Sequence, residues 1–394
     1  MEMVSKKLFD HMVCLRRKIH RYPELGYEEV KTASIIIEEL NRLGIALISG
    51  IGGTGIIGKI SASDSSGPIV ALRADMDAIA IHEETGLEFA SEVEGVMHAC
   101  GHDGHIAMLL GAATLLKESL KTGSVLLVFQ PAEEGGAGAR KIMDSHLLNK
   151  VEAIFACHLD RHYKVGKVVV QEGPISAFTD RFDITIRGKG GHAAQPHDTV
   201  DAIVVASLIV MSLQTIVSRE INPAYPSIVS VGQIKGGTVP NAVAASAKLS
   251  GTIRTTEIHI RERIIAGVRR IGKAAGVLHN ADVRVEIFEG YPSVVNTVEE
   301  SRVAGEAVVN IIGDQALIDT KYVNMGGEDF SYYLEKIPGC FVRIGAQKRG
   351  LEHIPAHSSE FDFDEEALGV GAQFLAEVAR LAIDRLLTKE ERVY

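Results

Sequence analysis

The sequence has little positive charge, few cysteines and no long uncharged apolar run. Its 41 Lys and Arg residues are outnumbered by 51 Asp and Glu residues, which gives a net charge of −10. Nucleic acids and anionic membranes attract a basic face, so we predict neither a nucleic-acid partner nor a membrane partner. No stretch approaches the roughly 18 uncharged apolar residues of a membrane span. The first twenty residues also lack the apolar core of a signal peptide.

The four cysteines are spread over 394 residues. A domain stapled by disulfides carries a denser pattern, so these thiols fit a reducing compartment and we expect a cytoplasmic protein. The length exceeds the size at which one hydrophobic core usually keeps growing, which favours two domains.

The first 180 residues are typical of an α/β fold. Apolar residues recur at helical spacing in the first twenty residues and again over residues 30–40, which predicts two amphipathic helices. Short apolar runs follow, in GIIGKIS, IVALRADMD, SVLLVFQPAEE and EAIFACHL, with a helical pattern in HIAMLLGAATLLKES. Strands that are apolar on both faces predict a mainly parallel mixed sheet flanked by helices.

The pattern changes at about residue 180. Over residues 180–289 the order is β-α-β-β-α-β, as in a ferredoxin-like module. After residue 290 the α/β pattern resumes with the strand CFVRIGA and a long last helix. We therefore predict a small domain inserted at 180–289 into a larger domain made of 1–179 and 290–394.

One glycine motif matches a nucleotide-binding pattern but lacks the structural context that this pattern requires. The run GIGGTG matches the dinucleotide-binding pattern G-x-G-x-x-G, but that loop must open a helix. Here the strand pattern IIGKIS follows. We interpret the glycines as a tight turn between two strands.

Polar residues gather at the ends of the predicted first-domain strands or in the loops beyond them. The carboxyl ends of parallel strands meet in one crevice, so residues far apart in sequence are expected to share a site there. The set comprises Asp75, Asp77, Cys100, His102, Asp103, His105, Glu133, Glu134 and His158, with His357 near the C-terminus.

Each of these residues alone has a plain structural explanation, since paired aspartates cap turns and a lone histidine is usually hydrogen-bonded. Together, a Cys-x-His pair, a strand-end glutamate and two more histidines supply ligands for divalent transition metals. Five such groups suffice for two metal ions. The competing interpretation makes Cys100 a nucleophile with a neighbouring histidine as base, and it leaves the glutamates, His158 and His357 without a role.

The two adjacent glutamates are predicted to differ in role. If Glu134 binds metal, Glu133 is held near an activated water without being needed as a ligand. A carboxylate there takes the proton from water that attacks a carbonyl and passes it to a departing amine.

Motifs along nearly the whole chain resemble the amidohydrolase branch of the M20 metallopeptidase family, which includes aminoacylases, hippurate hydrolases and auxin-conjugate hydrolases. They are RRKIHRYPELGYEE, LRADMDA, GVMHACGHDGH, FQPAEEGGAGA, GKGGHAAQPH, GTIRT, GGEDFSYY and FDFDEEAL. The resemblance implies a zinc-peptidase-like catalytic domain with an inserted lid and dimerisation domain, and a homodimer or homotetramer.

The resemblance also implies site residues, carried over motif by motif. It implies a site for two divalent ions (Zn, Mn, Co or Ni) bound by Cys100, His102, Glu134, His158 and His357, with Glu133 as general base. Other branches carry a ligating H-x-D motif where this chain has Asp75 and Asp77, so these two, with Asp103, are interpreted as residues that orient ligands.

In the small domain, the resemblance implies that His192 stabilises the oxyanion and that Asn241 and Arg254 bind substrate. The chain departs from the family at Asp160 and Arg161, which are expected to affect specificity, and at Ser359, which follows the last ligand.

The implied function is metal-dependent hydrolysis of linear amides in N-acyl amino acids (N-acetyl, N-benzoyl or similar) or small peptides, with carboxypeptidase activity as a variant. The alternative is a catalytically silent scaffold of the same fold that binds metal or peptide. The presence of Glu133 argues against it, because a silent site has no need of a base.

Overall fold

The computed structural model describes residues 4–320 and 322–391. The chain forms two compact units. The larger unit comprises the described residues of Met1–Gly173, Val295–Lys321 and Asp329–Tyr394, and the smaller one comprises Pro174–Val294 and Tyr322–Glu328.

Ten α-helical segments occur in the described part of the chain. They are α1 Lys6–Arg21, α2 Val30–Arg42, α3 His102–Ser119, α4 Glu133–Gly136, α5 Gly138–Asp144, α6 Ala202–Thr215, α7 Ile258–His279, α8 Val298–Ile312, α9 Ser331–Leu334 and α10 Ala367–Glu391. Short 3₁₀ turns lie at Pro196–Asp198 and Asp314–Ala316, and a π-helical turn, Ile216–Glu220, follows α6.

The strands are distributed between the two units. They are β1 Ala46–Ile51, β2 Gly55–Ser61, β3 Asp64–Asp75, β4 Thr122–Gln130, β5 Ala153–Asp160, β6 Val168–Val169, β7 Gly173–Pro174, β8 Phe178–Arg187, β9 Gly191–His192, β10 Ser227–Gly236, β11 Ala242–Val243, β12 Ser246–Thr255, β13 Asp282–Phe288, β14 Val295–Asn296, β15 Leu317–Ile318 and β16 Gly339–Gly345.

The larger unit is built on an eight-stranded sheet in the order β1-β2-β4-β3-β5-β16-β6-β15. Strands β4, β3, β5 and β16 run parallel at its centre, and β1 and β2 are antiparallel at one edge. Strands β4 and β5 are buried along almost their whole length, as expected for central parallel strands. Helices α2, α3, α8 and α10 pack against the sheet. The predicted mainly parallel sheet flanked by helices is confirmed.

The smaller unit contains a four-stranded antiparallel sheet in the order β10-β12-β8-β13. Helices α6 and α7 pack on it around a separate hydrophobic core. The chain order β8-α6-β10-β12-α7-β13 is the predicted β-α-β-β-α-β pattern, and this part of the fold prediction is confirmed.

Helix α6 and its π-helical extension, Ala202–Glu220, are long and apolar enough by composition to cross a membrane, so the prediction that no stretch approaches such a span is wrong. Core helices of soluble proteins pass the same test, and the buried residues of α6, among them Val205, Ile209 and Leu213, belong to the core of the smaller unit. Packing on the sheet therefore explains the buried apolar residues of this helix, whereas Ile203, Val204 and Met211 are exposed.

Two predicted turns and connections are visible in detail. The GIGGTG run forms the turn between antiparallel β1 and β2, as predicted, with Gly50, Gly52 and Gly53 at positive φ. The two connections that flank residues 180–289 lie side by side, because Thr179 N–H donates to Tyr291 and Ser293 Oγ donates to Ser176.

Candidate active site

The site of the larger unit lies at the carboxyl ends of β3, β4 and β5. These strands are parallel neighbours that end at Asp75, Gln130 and Asp160. The loops that leave them therefore start at the same edge of the sheet, as the sequence predicts.

The turn after β4 holds the two adjacent glutamates. Ala132 has φ 51° and Gly135 has φ 97°, so the chain reverses sharply around Glu133 and Glu134. The carboxylate of Asp77 accepts the backbone N–H of both glutamates, Oδ1 from Glu133 and Oδ2 from Glu134, each at 2.9 Å. Asp77 is itself buried. We call its two hydrogen bonds the Asp77 clamp, because they fix the backbone of both glutamates and hence the positions of their Cα atoms.

Asp77 also orients His102, the first residue of α3. The carbonyl oxygen of Asp77 lies 2.8 Å from His102 Nδ1 and accepts a hydrogen bond from its N–H. When the ring is neutral, the opposite nitrogen, Nε2, therefore carries the lone pair that binds another partner. Burial lowers the pKa of His102. The carboxylate of Asp75 and the sulfur of Cys100 have the larger, opposite effect, so the pKa lies well above the usual value.

Cys100 faces His158 across 3.3 Å, Sγ to Nε2. Burial raises the pKa of the thiol, but positive charge on His158 outweighs this and lowers it to about 6. His158 Nδ1 donates to the carbonyl of Leu159 at 2.8 Å, which aims Nε2 at the sulfur. The positive charge on His158 therefore favours the thiolate of Cys100, which is the form that binds metal or acts as a nucleophile.

His357 completes the group from the C-terminal part of the chain. Its backbone has φ 65°, and its N–H donates to the carbonyl of Ala99 at 2.8 Å. Its Nε2 lies 3.1 Å from Glu134 Oε1. Hydrogen bonds to Cys100 and Glu134 raise the pKa of His357 to about 10.

These side chains fit divalent metal ions. His102 Nε2 is buried without a hydrogen-bond partner among the described residues, which is costly unless another group binds it. Potential ligand atoms converge within 4.8 Å in the sets Cys100, His102, His158 and Cys100, Glu134, His357. A thiolate shared by two sets of nitrogen, oxygen and sulfur donors suits two transition-metal ions.

A further convergent set, Asp75, His102 and His105, has a different explanation. His105 Nδ1 donates to Asp75 Oδ1 at 2.6 Å, and its Nε2 accepts the backbone N–H of Leu159 at 3.0 Å. Both ring nitrogens are occupied, so His105 is not free to bind metal. Arg73 donates to the other oxygen of Asp75 at 2.7 Å. This chain of contacts fixes the peptide that follows His158.

We expect the His105→Gln variant to keep the metal stoichiometry of the native protein with an affinity about 10 to 100 times lower, the usual effect of losing an outer partner. His158→Gln serves as the matched comparison and is expected to lower the stoichiometry. Isothermal titration with Mn²⁺ or Zn²⁺ measures both quantities. Loss of one bound ion in His105→Gln would show that His105 is a ligand.

Asp103 lies one residue after His102 and anchors the first turn of α3 to α1. Its Oδ2 accepts from Arg16 Nε and His20 Nδ1, both at 2.8 Å. The carboxylate is buried, which raises its pKa, but the Arg16 charge and the His20 hydrogen bond outweigh this and hold it far below the usual value. Asp103 thus fixes the helix that presents His102.

We expect Arg16→Met to lower the free energy of unfolding by about 3–5 kcal/mol, because it leaves the buried carboxylates of Asp103 and Asp362 without this positive partner. Arg16 is 1% exposed and also pairs with Asp362 at 2.8 Å. Arg17→Met is the control: Arg17 is 45% exposed, and its exposed ion pair is worth at most about 1 kcal/mol. Urea unfolding followed by circular dichroism measures the difference. Equal losses in the two variants would contradict this role for Arg16.

Several buried residues behind the site lie outside the predicted set. Asp329 Oδ1 accepts from Arg73 at 3.0 Å, and its Oδ2 accepts the N–H of Ala139 at 3.0 Å. Gln130 joins them, since its side chain contacts both Arg73 and Asp329 at 2.8–2.9 Å. The sequence feature that indicates such residues is Arg73. It is a charged residue inside the apolar strand IVALRADMD, so it must find a buried partner of opposite charge.

The remaining predicted residues belong to the smaller unit. His192 on β9 pairs with Ala242 on β11, and the N–H of Ala193 donates to the carbonyl of Asn241 at 3.1 Å. His192 and Asn241 are therefore neighbours. Arg254 lies on β12 opposite Thr179 of β8, and burial lowers its pKa.

That Asp160 and Arg161 affect specificity stays a prediction, and both side chains make contacts within the larger unit. Oδ1 accepts from the backbone and Nδ1 of His162 at 2.9 and 2.7 Å, and Oδ2 lies 3.3 Å from Arg343. Arg161 donates to the carbonyl of Glu352 at 2.9 Å. These contacts hold Asp160 at the end of β5 and Arg161 in the turn that follows it.

Comparison with known proteins gives consistent matches. Residues 71–381 match the model of peptidase family M20/M25/M40. The chain is 40% identical to thermostable carboxypeptidase 1 of Saccharolobus solfataricus, over 93% of this chain and 94% of the relative, and 39% identical to the N-acetylcysteine deacetylase of Bacillus subtilis, over 98% and 100%.

A solved structure agrees with these matches. The Bacillus subtilis YXEP protein, described as a dinuclear metal-binding peptidase of the M20 family, superposes with a TM-score of 0.85 at 35% identity, covering 96% of this chain and 99% of that one. The predicted resemblance is thereby confirmed, and the chain belongs to peptidase family M20/M25/M40.

Proposed function

We propose that the protein hydrolyses the amide bond of N-acyl amino acids or small peptides, with two divalent metal ions and Glu133 as general base. The observation that carries the proposal is the Asp77 clamp, which holds the adjacent Glu133 and Glu134 at the edge of a cluster of sulfur, nitrogen and oxygen donors. One glutamate is thereby available as a ligand and its neighbour as a base.

In this proposal Cys100, His102, Glu134, His158 and His357 hold the ions. The unpartnered His102 Nε2, the convergence of the donor atoms and the low pKa of Cys100 support this assignment. Bound divalent ions in such a site lower the pKa of water and polarise the amide carbonyl. Cysteine among the ligands suits zinc, and manganese, cobalt and nickel are the other candidates.

The chain's own residues then provide the proton transfers and the binding contacts. Glu133 takes a proton from the attacking water and delivers it to the departing amine nitrogen. Asp75, Asp77 and Asp103 keep the ligands and the base in place through the contacts described above. His192 would stabilise the oxyanion, and Asn241 and Arg254 would bind the substrate.

For the whole chain we propose a catalytic domain made of 1–179 and 290–394 and a lid at 180–289. The substrate class is supported by the activities named for relatives, a deacetylase of N-acetylcysteine and a carboxypeptidase. Both reactions cleave an amide next to an amino acid, which is the linkage that the proposed chemistry requires.

The test is a panel of N-acetyl, N-benzoyl and N-carbamoyl amino acids and dipeptides, assayed with protein reconstituted with manganese, zinc or cobalt. We expect release of a free amino acid from at least one class. Protein carrying Glu133→Gln and prepared in the same way controls for contaminating hydrolases. A fully metal-loaded protein that cleaves no member of the panel would favour the silent scaffold.

We further propose a cytoplasmic homo-oligomer that associates through the smaller unit. Strand β10 is an edge strand of its sheet and exposes Ile228 and Ile234, and Met211 of α6 is 70% exposed. An open strand edge with exposed apolar side chains favours pairing with a second copy. Light scattering tests this: Ile234→Lys is expected to give a monomer, whereas Val309→Lys, on α8 of the larger unit, is expected to leave the oligomer intact.

A further inference from the structure

The motif PELGYEE, at residues 23–29, has no role in the chemistry described so far. It lies between α1 and α2, and three of its residues contact the turn at 131–138 that carries Glu133 and Glu134.

The turn is conformationally costly. Ala132 and Ala137, at φ 51° and 54°, are both left-handed, and neither is glycine. Each left-handed non-glycine residue costs about 1–2 kcal/mol. The turn therefore persists only because contacts from other segments hold it.

Three successive backbone N–H groups of the turn point to carboxylates. Those of Glu133 and Glu134 donate to Asp77, and that of Ala132 donates to Oε1 of Glu29 at 2.9 Å. A run of consecutive N–H groups directed at anions stabilises such a backbone bend. Glu29 thus holds the residue before the pair, as Asp77 holds the pair itself.

Glu29 is itself fixed. It is fully buried, its Oε2 accepts the hydroxyl of Thr54, and burial raises the pKa of its carboxyl. Neighbouring residues of the motif brace the same turn: Tyr27 donates its hydroxyl to the carbonyl of Gly136 at 2.6 Å, and a Cβ on Gly26 would lie 2.9 Å from Cβ of Ala132.

We infer that Glu29 is a positioning residue for the catalytic turn, and that Gly26, Tyr27 and Glu29 form the support against which Glu133 and Glu134 are placed. The inference rests on the proposed function, because it assigns Glu29 an effect on the proposed base and on the proposed ligand Glu134. Glu29 acts through the backbone of Ala132 and has no contact with the reacting atoms in this role.

The test compares Glu29→Ala and Glu29→Gln with Glu24→Ala. Glu24 is the matched control, since its carboxylate accepts two backbone N–H groups at 2.9–3.0 Å, from Lys31 and Thr32, at the start of α2. Glutamine at position 29 keeps an oxygen for Ala132 and presents an amide to the hydroxyl of Thr54. Each alanine variant removes from the same segment a carboxylate that accepts backbone N–H groups. The carboxylate of Glu29 is buried and that of Glu24 is half-buried.

In metal-saturated protein, we expect Glu29→Ala to lower kcat about 10 to 100 times with KM changed less than about threefold, and to lower the affinity for Mn²⁺ or Zn²⁺ about tenfold. Glu29→Gln is expected to restore both to within about threefold of the native protein, and Glu24→Ala to leave both unchanged. Circular dichroism at the assay temperature checks that each variant is folded.

The inference is overturned if folded Glu29→Ala keeps native kcat and metal affinity, or if Glu24→Ala loses as much as Glu29→Ala. Failure of the proposed function has a different signature, because native metal-loaded protein would then cleave no substrate of the panel. Metal affinity, measured by calorimetry, still decides the role of Glu29 in that case.

Discussion

Replacing Glu133 by glutamine is expected to lower kcat by about 100 to 10,000 times, the range for removal of a general base. Glutamine has nearly the same size but does not take a proton from water at neutral pH. The backbone N–H of residue 133 would still donate to Asp77, so the turn and the adjacent Glu134 are expected to stay in place.

Metal binding separates this loss from structural damage. We expect calorimetry to give Glu133→Gln the same number of bound ions as the native protein, with affinities within a few-fold. Glu118→Gln is the control, because Glu118 is an exposed glutamate near the far end of α3 from His102. A Glu133→Gln variant with native kcat would contradict the assignment of Glu133 as the base.

The second large effect is expected at Cys100. We expect Cys100→Ser to lower the affinity for divalent ions by at least 100 times, because a serine hydroxyl stays protonated where a thiol of pKa about 6 supplies a thiolate. The sulfur is also common to two of the convergent ligand sets. Activity is expected to fall with the loss of bound metal and to recover in part at high metal concentration.

This pattern differs from that of a cysteine amidase. If Cys100 were a nucleophile, the serine variant would keep its metal affinity, and added metal would not restore its activity. Cys157 provides a control thiol, since burial raises its pKa well above the usual value and its side chain belongs to the hydrophobic core. We expect Cys157→Ala to keep native metal affinity.

Much of the fold follows from periodicity and chain order. The apolar strands before Asp75, Gln130 and Asp160 predict parallel central strands, and parallel strands place their ends at one edge. That rule brings Asp77, Glu133 and His158 to the same region without any further information. The β-α-β-β-α-β order likewise predicts the antiparallel sheet of the smaller unit.

Other features of the site depend on contacts that no local pattern encodes. Arg16, Glu29 and Asp329 support the site from segments far away in sequence, and each looks like an ordinary surface charge when the sequence is read alone. His105 shows the same limit in another way. The residue types and spacing alone do not distinguish it from a metal ligand, whereas the two hydrogen bonds of its ring, to Asp75 and to the N–H of Leu159, do.

Metal reconstitution tests the dinuclear site most directly. The protein is stripped with a chelator, titrated with Zn²⁺, Mn²⁺ or Co²⁺, and followed by amide hydrolysis and by metal bound per chain. We expect negligible activity without metal and a rise that levels off at about two ions per chain. Full activity in metal-free protein would contradict metal-dependent hydrolysis, and a plateau at one ion would contradict the two-metal site.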